Sequence, residues 1–244
     1  MHGFYRTQAG TFTNFDAPGA SQVTGSGTYA TALGPNGLIV GFFRIGTSPS
    51  TFVCHAFIRY SNGVIHTFDA PGAGKGPQQG TAFLGVNSAG TEIGFFYDPA
   101  NAIHGFALTA QGQFSVVDPP GALSTTVRAI SRSGVIVGDY TDSAQKQHGF
   151  IRQASGATTT LDAPDALSTS VSGINASGEI VGSYETQDHV LNAFSMAPNG
   201  PTTLFSGPSR VITWLAGVNT VGVIAGYYYD SSFLPHGLLW LPTD

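Results

Sequence analysis

Charge is what this sequence has least of. Only 9% of its 244 residues are Asp, Glu, Lys or Arg, against about 25% in an average domain. Nine Lys plus Arg and a net charge of −5 leave no basic stripe. A nucleic-acid binder needs one to displace counterions, and a polybasic membrane anchor needs one as well. Neither partner is expected. Cys54 is the single cysteine, so the chain forms no internal disulfide, and a lone thiol leaves the redox compartment open. No stretch approaches the 18 apolar residues that span a bilayer as a helix. The start, Met1-His2-Gly3-Phe4, lacks the basic-then-apolar profile of a secretion signal and is read as a trimmed or mature start. Gly-x-Ser-x-Gly, phosphate-loop and zinc-protease signatures are all missing. No metal and no cofactor is expected, and no catalytic residue is assigned.

What the sequence has in abundance is repetition. His-Gly-Phe or a near variant begins at His2, His55, His104, His148, Asn192 and His236, at intervals of 53, 49, 44, 44 and 44 residues. A second motif, Phe-Asp-Ala-Pro-like, places Asp16, Asp69, Asp118 and Asp162, with Ser206 in the fifth copy. A third, Gly-Ile-Asn-x-x-Gly-x-Ile-Val-Gly, ends on the glycine pairs Gly37/Gly41, Gly90/Gly94, Gly134/Gly138, Gly178/Gly182 and Gly222/Gly226. Segments between the glycines are short, alternating and rich in Val, Ile, Thr, Phe and Tyr, which marks strands. Each repeat holds four. In the third copy they fall near Thr125–Ile130, Val135–Tyr140, from His148, and up to Asp162.

About 44 residues and four strands per unit is the signature of a propeller blade. The expected fold is all-β: a five-bladed β-propeller with four-stranded antiparallel blades, one domain over residues 1–244, its ring closed by N- and C-terminal strands. Repeats start near residues 2, 55, 104, 148 and 192, and residues 236–241 form the closing strand. Blade five lacks a fourth strand, so Gly10–Asp16 is expected beside Leu238–Leu241, leaving no free sheet edge. His2–Arg6 and His236–Leu241 are both copies of strand three, and one blade has room for one. The motifs resemble those of bacterial extracellular HAF-repeat proteins, after triplets such as His55-Ala56-Phe57. That resemblance covers nearly the whole chain. It implies export, to an extracellular or periplasmic location, and carries no catalytic residues over.

His and Asp stand 14 residues apart in His2/Asp16, His55/Asp69, His104/Asp118 and His148/Asp162, with a glycine always eight after the His. The turn at that glycine places the two opposite each other on adjacent strands. In the fifth copy both change together, to Asn192 and Ser206. A catalytic dyad or metal ligand is one reading. A hydrogen bond fixing strands three and four is the favoured one, because one active site does not need four dyads. Asp98, Asp142 and Asp230 precede a His by six residues and read as loop caps. Pro18, Pro71, Pro120, Pro164 and Pro208 stiffen equivalent loops. Adjacent strand residues point to opposite faces, so Cys54 and His55 make a poor nucleophile pair.

Departures from the repeat point to function. From the fourth-strand Asp to the next motif glycine is 21 residues in the first two copies and 16 in the rest; from that glycine to the next His is 18 in the first and 14 elsewhere. The lengthened loops are Gly19–Tyr29, Arg44–Cys54 and Gly72–Ala82, all opening on one face. Strand one lines the channel with two chemically mixed rings: Tyr29, Ala82, Thr126, Ser170 and Trp214, then Thr31, Leu84, Arg128, Ser172 and Ala216. Arg128 either holds an anion, or reaches solvent or pairs with Asp139. Trp214 and Tyr29 either stack on a sugar or aromatic ring or pack blade five. Tyr227 belongs to a run of three tyrosines of which one must face out. Asp188 and His189 form a local acid–base candidate or a polar loop. The expectation is a monomeric propeller binding a small molecule or glycan at the channel mouth on the long-loop face, through Arg128, Trp214, Tyr29, Thr31, Ser172 and Tyr227. The alternative is a hydrolase or lyase with its site at the same mouth.

Overall fold

The computed structural model describes residues 1–198, 200–206 and 212–241; Pro208 lies outside them. The described chain is all-β, with 21 strands and one short 3-10 turn at Pro35–Gly37. It divides into two compact units, Met1–Val117 and Asp118–Asp244.

The first unit opens with a hairpin, β1 (Gly3–Arg6) and β2 (Phe12–Phe15). Two four-stranded blades follow. Blade one comprises β3 (Gly27–Leu33), β4 (Ile39–Ile45), β5 (Val53–Arg59) and β6 (Ile65–Phe68). Blade two comprises β7 (Gly80–Val86), β8 (Glu92–Tyr97), β9 (Ile103–Leu108) and β10 (Phe114–Val116). The second unit holds blade three, with β11 (Ser124–Ile130), β12 (Ile136–Thr141), β13 (Gln147–Arg152) and β14 (Thr158–Leu161). Blade four has β15 (Ser168–Ile174), β16 (Ile180–Glu185), β17 (Leu191–Met196) and β18 (Thr202–Phe205), and blade five has β19 (Ile212–Val218), β20 (Ile224–Tyr229) and β21 (Pro235–Trp240). Every blade is an antiparallel meander in chain order. Inside each unit one parallel bridge links successive blades, Cys54 to Gly80 and Leu191 to Ile212.

A steric device recurs in every blade. Strand one carries a β-bulge whose extra residue is Thr31, Leu84, Arg128, Ser172 or Ala216. The bulge turns the carbonyl two residues earlier toward strand two. There it meets the second motif glycine so closely that a Cβ on Gly41 would collide with the Tyr29 oxygen, and one on Gly138 with the Thr126 oxygen. In four of the five, the other side of the same glycine carries the phenylalanine of His-x-Phe; in blade five Leu238 stands opposite Gly226. A Cβ on Gly41 would stand 2.9 Å from the Phe57 ring. Phe57, Phe106, Phe150 and Phe194 are therefore buried to 0–1% exposure, each contributing roughly 1.5–3 kcal/mol by burial. Motif glycine and motif phenylalanine are two halves of one contact.

The Asp-Ala-Pro turns are tied down by a second device. The amides of Ala17, Ala70 and Ala163 donate to the buried hydroxyls of Thr28, Thr81 and Thr169 on the following strand one, at 2.9, 2.9 and 3.0 Å.

The strand expected to close the ring against residues 238–241 is β2, in the first unit. β2 pairs with β1, Gly3 opposite Phe15, in the register that Ala56 and Phe68 keep in blade one. The turn at Gly10, with φ of +92°, folds the hairpin locally before any distant strand can compete. Both copies of strand three are thus retained, β1 on β2 and β21 on β20.

Candidate functional site

The first two lengthened loops meet at one side chain, and the third joins the second beside it. Arg44, at the end of β4, donates from Nη1 to the Gly25 carbonyl of the first loop at 3.0 Å. Its guanidinium lies 5.1 Å from the Tyr29 ring centroid, 5.7 Å from Phe42 and 5.7 Å from Phe52 of the second loop. Tyr29 and Phe42 are stacked, 4.7 Å apart and 8° from parallel; the Tyr29 hydroxyl donates to the Gly25 carbonyl. The third loop is anchored by the Gln78 amide, which donates to the Phe52 carbonyl at 2.5 Å. Together they enclose a cleft of about 240 Å³ lined by Phe42, Arg44, Phe52, Cys54, Phe95 and Tyr97, among others. Arg44 has no carboxylate partner among the described residues. Burial pushes the Cys54 thiol up, against the lowering effect of Arg44, so this cysteine is a poor nucleophile. The cleft lining includes no carboxylate and no imidazole.

The channel residues fare differently. Arg128 donates from Nε to Asp139 Oδ2 at 2.7 Å, with side chains 44% and 5% exposed. The Val171 amide donates to the other carboxylate oxygen at 2.6 Å. Desolvation still raises the Asp139 carboxyl above its ordinary range, with Arg128 the main opposing influence. Of the two alternatives for Arg128, pairing with Asp139 is the one present. The Thr31 hydroxyl lies 3.1 and 3.0 Å from the Val40 and Phe83 carbonyls, which commits it to the blade. Ser172 Oγ is buried without a hydrogen-bond partner. Trp214 sits opposite Tyr227 on the neighbouring strand, and Tyr227 meets Tyr229 edge to face. Tyr29 and Thr31 belong to the first unit, and Arg128, Ser172, Trp214 and Tyr227 to the second. His189 Nδ1 lies 2.6 Å from Glu185 Oε1, a local loop contact.

The repeated His–Asp pairs form as the spacing requires. His Nδ1 faces the strand-four Asp at 2.8 Å in His2/Asp16, 2.9 Å in His55/Asp69 and 2.8 Å in His148/Asp162. The sequence argument missed the other ring nitrogen. His148 Nε2 lies 3.2 Å from Asp142 Oδ2, His236 Nε2 2.9 Å from Asp230 and His104 Nε2 3.6 Å from Asp98. The constant spacing of six was the available signal. Asp142 Oδ1 meanwhile accepts the Ala144 and Lys146 amides, so one carboxylate caps the loop and grips the imidazole. The Lys146 amide first, then His148 and the Ala144 amide, hold the Asp142 carboxyl below its usual range. The His148 ring also stacks on Tyr140 at 5.0 Å. No group of three or more His, Cys, Asp or Glu is placed to hold a metal among the described residues.

The fold places the chain among all-β proteins built from blade-type repeats. Its likeness to solved structures is distant. A triple mutant of AofleA from Arthrobotrys oligospora aligns with a TM-score of 0.49 and 11% identity over 95% of this chain and 73% of that one. The Aleuria aurantia lectin, described as a six-bladed β-propeller with a novel fucose recognition mode, aligns at 0.45 and 12% over 94% and 80%. A mutant of that lectin bound to Fucα1-6GlcNAc aligns at 0.44 and 9% over 98% and 83%. At these scores and identities, neither a ligand nor a blade number carries over. No protein-family profile matches the chain, and no curated protein matches it either, so the HAF-repeat resemblance stands on the motifs alone.

Proposed function

We propose that the chain is a ligand-binding β-propeller, its five inner strand pairs forming five blades of one domain, and that it takes a glycan or similar ring-shaped small molecule in the cleft around Arg44. One observation carries this: two of the loops that depart from the repeat end on the same guanidinium and its aromatic surround, and the third is bonded to the second and lines the same cleft. Aromatic faces pack against the apolar face of a sugar ring, and an arginine outside an ion pair offers directional donors to hydroxyl or carboxylate groups. The site stays on the long-loop face as expected and moves from the channel residues to the loops themselves. Tyr29 keeps its role, and Arg128 becomes structural. A hydrolase or lyase reading finds no acid–base pair in this lining. Monomeric behaviour and export are part of the proposal, to be checked by gel filtration and by secretion of the native gene product.

The test is saturation-transfer NMR of neutral and acidic saccharides against the chain and against Arg44→Gln and Phe52→Ala. Arg44→Gln keeps a donor for the Gly25 carbonyl and removes the charge. Transfer from the Tyr29, Phe42 and Phe52 rings, lost in both variants at unchanged melting temperature, is the expected result. Binding that persists in both variants, or no binding across the panel, refutes the proposal.

A further inference from the structure

Arg44 puts a charge where the other repeats have no cation. It lies opposite Gly27, and the equivalent positions on strand two are Tyr97, Thr141, Glu185 and Tyr229. The scaffold therefore does not require this guanidinium. The side chain is half-buried, and a cation taken out of water costs free energy unless something opposes its charge. The three rings around it offset part of that cost. No carboxylate does: none lines the cleft, and among the described residues the guanidinium meets no acidic side chain. Arg128, by contrast, has Asp139 at 2.7 Å. One of the five N–H donors of Arg44 goes to the Gly25 carbonyl, which leaves enough for a planar acceptor with two oxygens.

We propose that the sugar taken in this cleft is a uronic acid unit, its carboxylate paired with the Arg44 guanidinium and its ring against the aromatic lining. This rests on the reading of the cleft as a glycan site and narrows it from saccharides in general to acidic ones. The arginine fork matches the two oxygens of a carboxylate, and the surrounding rings lower the local dielectric and strengthen the pairing. A neutral sugar would strip water from the same cation and return no charge to it. Half-buried Phe42, Phe95 and Tyr97 border the cleft and offer faces to the apolar side of a sugar ring. The Tyr97 hydroxyl and the Gln78 carboxamide, both without a partner among the described residues, supply donors and acceptors for ring hydroxyls. At about 240 Å³ the cleft is smaller than the roughly 300–1,000 Å³ of sites that enclose a drug-sized ligand, so it holds a single sugar unit.

The experiment is an NMR titration of the full chain with the methyl glycosides of glucuronic and galacturonic acid, each beside its uronamide. The uronamide keeps the ring and its hydroxyls and lacks the charge. One uronate is expected to bind at least tenfold more tightly than its uronamide, and added salt should shrink that ratio. Arg44→Gln should bring the uronate down to the level of the uronamide. Phe95→Leu, which removes an aromatic face and keeps the charge, should weaken both alike and leave the ratio unchanged. The comparison on the parent chain decides the matter even where Arg44→Gln does not fold. Equal affinity for uronate and uronamide overturns the proposal and leaves the cleft a site for neutral glycans. A preference for the uronate that survives Arg44→Gln overturns it as well, as does a sulfated sugar that displaces every uronate. Absence of binding by any saccharide, neutral or acidic, removes the glycan reading itself and this proposal with it.

Discussion

The amide of Ala70 donates to Thr81 Oγ1 at 2.9 Å, and Thr81 is fully buried. The equivalent pair in the next repeat is Pro119 and Thr125. Proline has no N–H to donate, and Thr125 Oγ1 is buried without a partner. Two isosteric changes should therefore separate. Thr81→Val leaves the Ala70 amide unsatisfied and should cost about 1–2 kcal/mol, while Thr125→Val should cost nothing or stabilise. Denaturant midpoints of the two variants check this. Equal losses would contradict it.

Removing Arg128 leaves Asp139 buried, its carboxylate held by the Val171 amide and the Ser170 hydroxyl. Breaking a fully buried pair costs roughly 3–5 kcal/mol; Arg128 is partly in solvent, so Arg128→Ala should cost about 2–3 kcal/mol, discounted from that range. The double variant Arg128→Ala/Asp139→Asn should recover part of the loss, which a double-mutant cycle measures. Saccharide binding should be unchanged in both.

Glu92 stands where the other four repeats carry Ile39, Ile136, Ile180 and Ile224, and like them it is at most 5% exposed. Burial raises its carboxyl from 4.5 to about 7. The folded chain therefore holds a proton that the unfolded chain gives up across that interval, and the contribution of Glu92 to stability falls as pH rises from about 4.5 through about 7. Glu92→Gln should flatten that decline in melting temperature. Glu92→Ile should add about 1–3 kcal/mol at neutral pH by removing a buried polar group. A parent and Glu92→Gln pair with parallel pH profiles would exclude this account.

Asp162→Ala removes the carboxylate facing His148 Nδ1 and leaves Asp142 on the other nitrogen. Because the pair is partly exposed, the expected loss is about 1 kcal/mol, with ligand binding intact. A variant that melts like the parent yet loses binding would give the dyad a functional role.

Much of this was legible in the sequence. The glycine eight after each histidine set the hairpin register, so the crossing of His55 with Asp69 and His148 with Asp162 followed from counting. Unequal spacings singled out three loops, and these border one cleft beside Arg44. The grip of Asp142 on Nε2 of His148 was available in the spacing of six but needs a loop that folds back, which counting does not show. The β1–β2 hairpin was legible too, from the glycine eight after His2 that turns it.

The sequence by itself determined the repeat, the strands of each blade and the obligatory glycines, because those depend on local periodicity and on contacts one repeat apart. Only the tertiary structure decided which polar groups are spent on the scaffold and which remain open. Arg128 and Arg44 look alike in the sequence. One lies beside a buried carboxylate that needs its charge, and the other lies among aromatic rings at the meeting of three loops. Desolvation and through-space neighbours, not sequence position, make that difference.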